Sequence, residues 1–159
     1  MQVSVKKELA FEYAHRLLDY NGKCSNIHGH NQKVWVYFER VLNQHSAPSE
    51  VVNDLGMVID FNDIKSGIGK WIDDNWDHAL ILHMADKENI DRFSDGKNKM
   101  FLMPYNPTAE NMARYLLDVV GPALYDAPFN RPAEGEAYGV QLYKVEVFEN
   151  DKSAAVAKL

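Results

Sequence analysis

Among 159 residues there is a single cysteine, Cys24. An internal disulfide is therefore excluded, and the thiol is a buried spectator, a metal ligand or a reactive group. No apolar stretch approaches the roughly 20 residues needed to span a bilayer. Basic residues are outnumbered by acidic ones, 17 against 23, for a net charge of −6. That deficit argues against nucleic acid as a partner. A small anionic substrate stays compatible with it, because a metal ion and a few local cations can dominate one cleft. There is no internal repeat, low-complexity tract or linker, and Met1-Gln-Val-Ser-Val-Lys-Lys has no signal-peptide core. With 46% hydrophobic and 25% charged residues, the expectation is an ordinary globular chain. It is read as one domain over residues 1–159, with 150–159 as a flexible tail, a cytoplasmic address and no membrane partner.

Histidine carries the strongest signal. His15 closes an alternating run, Val3-x-Val5-x-x-x-Leu9-x-Phe11-x-Tyr13-x-His15, and is followed by Cys24-Ser-Asn-Ile-His28-Gly-His30. Residues two apart on a strand point the same way, so His28 and His30 share a face. Three neutral imidazoles converging on one point form an open tetrahedral zinc site, with a fourth position for water or substrate. Cys24 is either that fourth ligand, which would make the site structural, or a base beside a cation that favours its thiolate.

The remaining pattern places these residues on elements. The odd positions from 3 to 15 predict a half-buried strand, and Val34-Trp-Val-Tyr-Phe38 a strand apolar on both faces. Residues 43–55 read as a polar loop. Asp60 suits a helix N-cap, with Asp63 in the first turn and Ile64, Ile68, Trp71 and Ile72 as its buried face; Gly67 and Gly69 weaken that helix. Residues 84–106 look irregular apart from Met100-Phe-Leu-Met103, which could add a short strand near 100. Thr108 suits a second N-cap, with Glu110 in the first turn. Met112, Tyr115, Leu116, Val119 and Val120 form the stripe that follows, and Gly121-Pro122 should end or distort the helix. After a loop at 126–136, Tyr138–Glu149 predicts a last strand with Tyr143, Val145, Val147 and Glu149 on one face. The order implies an α+β fold, an antiparallel sheet with helices on one face. Its open edges would gain from pairing with other subunits.

Each candidate has a plain structural reading. His45 and His83 read as surface or structural histidines. An Asp-His dipeptide such as Asp77-His78 usually sits in a loop without further role, although an acid beside an imidazole can make a proton shuttle. The two face opposite ways on a strand, so a working pair needs a loop or a contact across subunits. Glu149 is either a solvated strand end or a carboxylate that grips the paired N–H groups of a guanine or pterin ring. Glu110 is explained by the helix start alone.

Taken together, these segments resemble the 6-pyruvoyl-tetrahydropterin synthase superfamily, and within it the bacterial 6-carboxy-tetrahydropterin synthases of queuosine biosynthesis. The matching pieces are Phe11-Glu-Tyr-Ala-His15-Arg-Leu, Lys23-Cys24-Ser-Asn-Ile-His28-Gly-His30, Gly56-Met-Val-Ile-Asp60-Phe, Trp76-Asp77-His78, Pro107-Thr108-Ala-Glu110-Asn111 and Val145-Glu-Val-Phe-Glu149. The three residues between Cys24 and His28 match the 6-carboxy type. The chain departs from the family at Asn150, where Thr is common, and at Leu82, where Asn is usual.

The resemblance implies a tunnelling fold: a four-stranded antiparallel sheet with two helices on one face, closing with other subunits into a β-barrel. It implies a homo-oligomer, a hexamer by family habit, with sites at subunit junctions. His15, His28 and His30 would hold Zn2+. Cys24 would abstract a proton, Asp77 and His78 would relay a second, and Glu149 would anchor the pterin and join the relay. Thr108 and Glu110 would line the pocket. The implied activity is that of a zinc-dependent lyase. It would convert 7,8-dihydroneopterin triphosphate to 6-carboxy-tetrahydropterin, releasing acetaldehyde and triphosphate. The alternatives are a 6-pyruvoyl-tetrahydropterin synthase, which cleaves no carbon–carbon bond, a pterin-binding oligomer without catalysis, and a purely structural zinc site. Arg16, Lys23 and Lys33 are nearby cations for a triphosphate, left unassigned.

Overall fold

The computed structural model describes residues 2–41, 47–125 and 139–159. His45, the loop 126–136 and positions 43–46 lie outside the described residues. The first strand, β1, is Ser4–His15 and pairs antiparallel with β2, His28–Arg40, from Ser4 opposite Glu39 to His15 opposite His28. Alternation sorts the side chains by face. Phe11, Tyr13 and His15 of β1 are buried with Gln32, Val34, Val36 and Phe38 of β2, while Glu8, Ala10 and Glu12 are exposed.

The sheet is wider than the four antiparallel strands expected. Ala79–His83 forms β3 and Met100–Met103 forms β4, and both add in parallel beyond β1. On the other side β5, Val140–Asn150, pairs antiparallel with β2 and carries β6, Ser153–Lys158. The order is β4-β3-β1-β2-β5-β6. Residues 150–159 therefore do not form a tail. Asn150 Oδ1 accepts from Lys152 N–H at 2.9 Å and closes a tight turn that returns the chain onto β5. Tyr143 also departs from expectation. The pairing slips between Tyr37 and Phe38, so Leu142 takes its place on the buried face beside Val145 and Val147, which are buried as expected.

Two helical runs cover one face. The first joins α1, Phe61–Ile64, through a π-helical stretch, Lys65–Gly69, to α2, Lys70–Asn75. The Asp60 carboxylate caps it, accepting from Asn62 N–H at 2.7 Å. A Cβ on Gly67 would lie 2.5 Å from the Tyr125 hydroxyl, so only glycine lets that hydroxyl reach the helix. There it accepts the Ile68 N–H at 3.1 Å, satisfying a donor freed where the helix loosens. Short α3, Lys87–Phe93, lies within the stretch read as irregular.

The second run joins α4, Ala109–Tyr115, through a π stretch, Leu116–Val120, to α5, Gly121–Tyr125. Thr108 caps it through Asn111 N–H. Gly121-Pro122 distorts the run without ending it, since Pro122 lacks the N–H that a regular helix would use. The looser turn delays the helical phase, which buries Leu117 and Val120 and leaves Val119 exposed. Ile64, Ile68, Ile72, Met112 and Leu116 meet Val34, Val36, Phe38, Val145 and Val147 in one core. Each large apolar side chain there contributes about 1.5–3 kcal/mol.

Candidate metal centre and active site

The end of the β1–β2 ladder brings the three histidines together. His15 is directly opposite His28, and His30 opposite Tyr13, all on the helix-covered face. His15 Nε2 and His28 Nε2 are 3.1 Å apart. One donor atom from each of His15, His28 and His30 lies within 4.8 Å of the others, and among the described residues this group could hold a metal ion. The tautomers suit that task. His15 Nδ1 donates to the Pro107 carbonyl at 2.7 Å, and His28 Nδ1 to the Asn26 carbonyl at 2.8 Å, so both Nε2 atoms are left as lone pairs. His30 Nε2 is buried without a hydrogen-bond partner; the Glu149 carboxylate stands 3.3 Å away but out of hydrogen-bond alignment. Burial lowers the His15 pKa to about 4, with His28 and His30 adding to the effect against the opposing pull of the Pro107 carbonyl. A neutral imidazole is the form that binds a metal. The donor set therefore fits a borderline cation such as zinc.

Cys24 sits on a short 3₁₀ turn, Lys23–Ser25, in the loop that joins the two strands. Its carbonyl accepts from Leu17 N–H at 2.8 Å, which ties the turn to the end of β1. Asn106 holds the same loop by accepting from Leu18 N–H and donating to the Leu18 carbonyl. Cys24 lies outside the three-histidine group and lines the cavity next to it. That cavity is about 290 Å³ and is walled by His15, Cys24, Thr108, Glu110, Glu149 and β6 residues Ser153–Ala155, among others. The cavity thus gathers Cys24, Thr108, Glu110 and Glu149 beside His15, with His28 and His30 adjoining it.

Asp77 and His78 are not brought there. They precede β3 and open beside Glu12, on the face away from the helices. His78 is in the left-handed region at φ 55° and its side chain is 73% exposed. Asp77 Oδ2 accepts from His78 Nδ1 at 2.7 Å, and Asp77 Oδ1 from Glu12 N–H at 3.0 Å. Partial burial raises the Asp77 pKa, but those two donors and the Lys99 charge outweigh it and leave the carboxyl below its ordinary value.

Several features escaped the sequence reading. Gln32 is 1% exposed with neither amide atom paired, and the buried Tyr13 hydroxyl is also unpaired. Burial raises the Tyr13 pKa, and the charges of Glu149 and Cys24 add to this. Arg16 faces buried Asp86 at 3.4 Å, and Asp86 in turn accepts from Asn89, so this cation is engaged by the segment before α3. Lys33 pairs with Asp151. His83 ends β3, and its Nδ1 accepts from Ala85 N–H in the turn that follows.

Residues 4–158 match the model of the family described as 6-pyruvoyl tetrahydropterin synthase. The chain belongs to that family. Among its relatives, the protein named 6-carboxy-5,6,7,8-tetrahydropterin synthase of Rickettsia conorii is 36% identical over 124 residues, covering 77% of this chain and 83% of its own. The Haemophilus influenzae protein of the same name is 34% identical over 117 residues, covering 72% and 79%. Of solved structures, an uncharacterized Wolinella succinogenes protein superimposes with TM-score 0.70 at 21% identity, over 98% of this chain and 97% of its own. The Caenorhabditis elegans 6-pyruvoyl tetrahydropterin synthase gives TM-score 0.59 at 23% identity, over 99% and 95%. The curled sheet under two helical runs is the tunnelling fold that the sequence resemblance implied.

Proposed function

We propose that this protein is a zinc-dependent lyase that converts 7,8-dihydroneopterin triphosphate to 6-carboxy-tetrahydropterin, releasing acetaldehyde and triphosphate. The observation that carries the reading is one cavity in which His15, Cys24 and Glu149 meet, with His28 and His30 alongside. The names of the Rickettsia conorii and Haemophilus influenzae relatives support the carboxylated product over the pyruvoyl one.

His15, His28 and His30 would hold the zinc. When bound, zinc supplies Lewis acidity that lowers the cost of negative charge developing on a substrate oxygen. The chain's own residues do the rest. Glu149 accepts hydrogen bonds from the paired N–H groups of the pterin and fixes the ring, and Thr108 and Glu110 wall the same pocket. The Cys24 thiolate removes one side-chain proton, from a loop pinned at Leu17 and Leu18. A second proton moves through His78, whose tautomer Asp77 sets. Asp77 and His78 open on the opposite face of the sheet from the histidine triad, so they serve the cavity of a neighbouring copy. That arrangement requires a homo-oligomer, and the sheet edges at β4 and β6 are available to build it. The proposed assembly is a hexamer, following the family resemblance.

The test is to incubate the zinc-loaded protein with 7,8-dihydroneopterin triphosphate and follow products by mass spectrometry. Acetaldehyde with a carboxylated pterin is expected. A diketo product without loss of carbon would assign the 6-pyruvoyl activity instead, and intact substrate would reject both.

A further inference from the structure

We propose that Glu12 is the outer member of the His78 relay, a positioning residue whose backbone fixes the Asp77–His78 pair and whose carboxylate receives the proton from His78 Nε2. The inference rests on the reading above, in which His78 moves a proton.

Glu12 meets the pair at three points. Its N–H donates to Asp77 Oδ1 at 3.0 Å. Its carbonyl accepts the His78 N–H at 2.6 Å. Its carboxylate lies 3.8 Å from His78 Nε2. The first two contacts use main-chain atoms of β1, a strand locked to β2 along its whole length. They hold His78 in a left-handed conformation that is uncommon for a non-glycine residue. Lys99 completes the frame by donating to the carbonyls of Asp73 and Asp77.

The third contact has the geometry of a waiting acceptor. Ionised Asp77 accepts from Nδ1 and leaves the Nε2 lone pair as the working base. At 3.8 Å, Nε2 and the Glu12 carboxylate are too far apart for a hydrogen bond. Nε2 is therefore unblocked in the resting state. Once it takes a proton, the same two groups become a charge-assisted donor and acceptor. In the first step a substrate C–H or O–H bond breaks, the Nε2–H bond forms, and the electron pair stays on the substrate. In the second the Nε2–H bond breaks, a Glu12 O–H bond forms, and the proton leaves to water. No oxidant or reductant is needed. Glu12 is three residues before His15, but its side chain projects to the other face of the sheet, so its removal should leave the metal site untouched.

The experiment uses the full-length zinc-loaded enzyme and 7,8-dihydroneopterin triphosphate. Glu12→Gln keeps both main-chain contacts and should lower kcat about tenfold. KM, zinc content and melting temperature should stay at the wild-type values, and Glu12→Asp should recover part of the rate. In Glu12→Ala, millimolar acetate should raise kcat in proportion to its concentration, with no effect on wild type. An unchanged kcat in Glu12→Gln overturns the proposal, as does a loss accompanied by zinc release or a KM change, or one that acetate does not relieve. A wild-type enzyme that leaves the substrate intact removes both this inference and the function proposed above. An active wild type with an equally active Glu12→Gln removes this inference alone.

Discussion

The two faces of the sheet are built to different degrees of completion. On the helix-covered face, His15 is 2% exposed, held by the Pro107 carbonyl and opposed in register by His28. The cavity beside it is walled by Cys24, Thr108, Glu110 and Glu149. On the other face the His78 side chain is 73% exposed, between Asp77 and Glu12. If His78 relays a proton as proposed, it has nothing to act on in bulk water, and the histidine cavity lacks a second proton carrier. The contrast is between a walled, buried cluster and an open one on the same sheet. On the proposed function, the bare face supplies a part that becomes useful only against another copy.

The strongest way to break this comparison is to remove the finished half. Replacing both His28 and His30 by alanine should abolish turnover and reduce bound zinc to background, measured by elemental analysis of the purified protein. Cys24→Ala should lower kcat by about 10²–10⁴ with zinc retained. If it releases zinc instead, the thiol is a ligand and the centre is structural. Zinc stripping separates the same alternatives, because a structural site unfolds when emptied, whereas an active-site centre should leave the protein folded and any assembly intact.

A sharper test joins the halves. Cys24→Ala and His78→Ala should each be inactive alone. Mixed and reassembled in equal amounts, they should regain about a quarter of the wild-type sites, because a junction with Cys24 from one copy and His78 from another escapes both changes. No recovery would mean that both residues act within one chain, and the separation of the two faces would lose its meaning.

The finished half was also the more legible in the sequence, for a physical reason. Strand parity is local, so the His15 and His28-x-His30 pattern already implied a shared face, and the caps at Asp60 and Thr108 followed from one side chain each. What escaped depends on distant partners. Ser153–Lys158 has little strand character of its own and becomes β6 only because Asn150 turns it back onto β5. The parallel additions of β3 and β4 obey no periodicity within either segment. A one-residue slip opposite Tyr37 and Phe38 turned Tyr143 from the expected face. Glu12 showed no signal in the chain, since its contact with Asp77 joins residues 65 apart.

Acid should weaken the covered face selectively in the metal-free protein. Burial, aided by the neighbouring histidines, lowers the His15 pKa from 6.5 to about 4. The unfolded chain therefore binds the proton first as pH falls. Stability from His15 is fully present above pH 6.5 and is lost down to about pH 4, by roughly 3 kcal/mol. The melting temperature of zinc-free protein should fall across that window. The fall should be smaller in His15→Gln, and unchanged by His15→Gln if His15 is not the titrating group.

The smallest effect compares one hydroxyl on each face. The Tyr125 hydroxyl accepts the buried Ile68 N–H at 3.1 Å. Tyr125→Phe leaves that donor without a partner away from water and should cost about 1–2 kcal/mol of unfolding free energy, measured by denaturant titration. The Tyr37 hydroxyl donates to Glu146 at 3.0 Å on the bare face. There water can replace the lost donor, and Lys144 also pairs with Glu146, so Tyr37→Phe should cost less than about 0.5 kcal/mol. Equal costs would show that other copies exclude water from the bare face as thoroughly as the helices do from the covered one. In that case His78 and Glu12 would work in a dry junction. The proton that Glu12 receives would then need a path to solvent through the neighbouring chain.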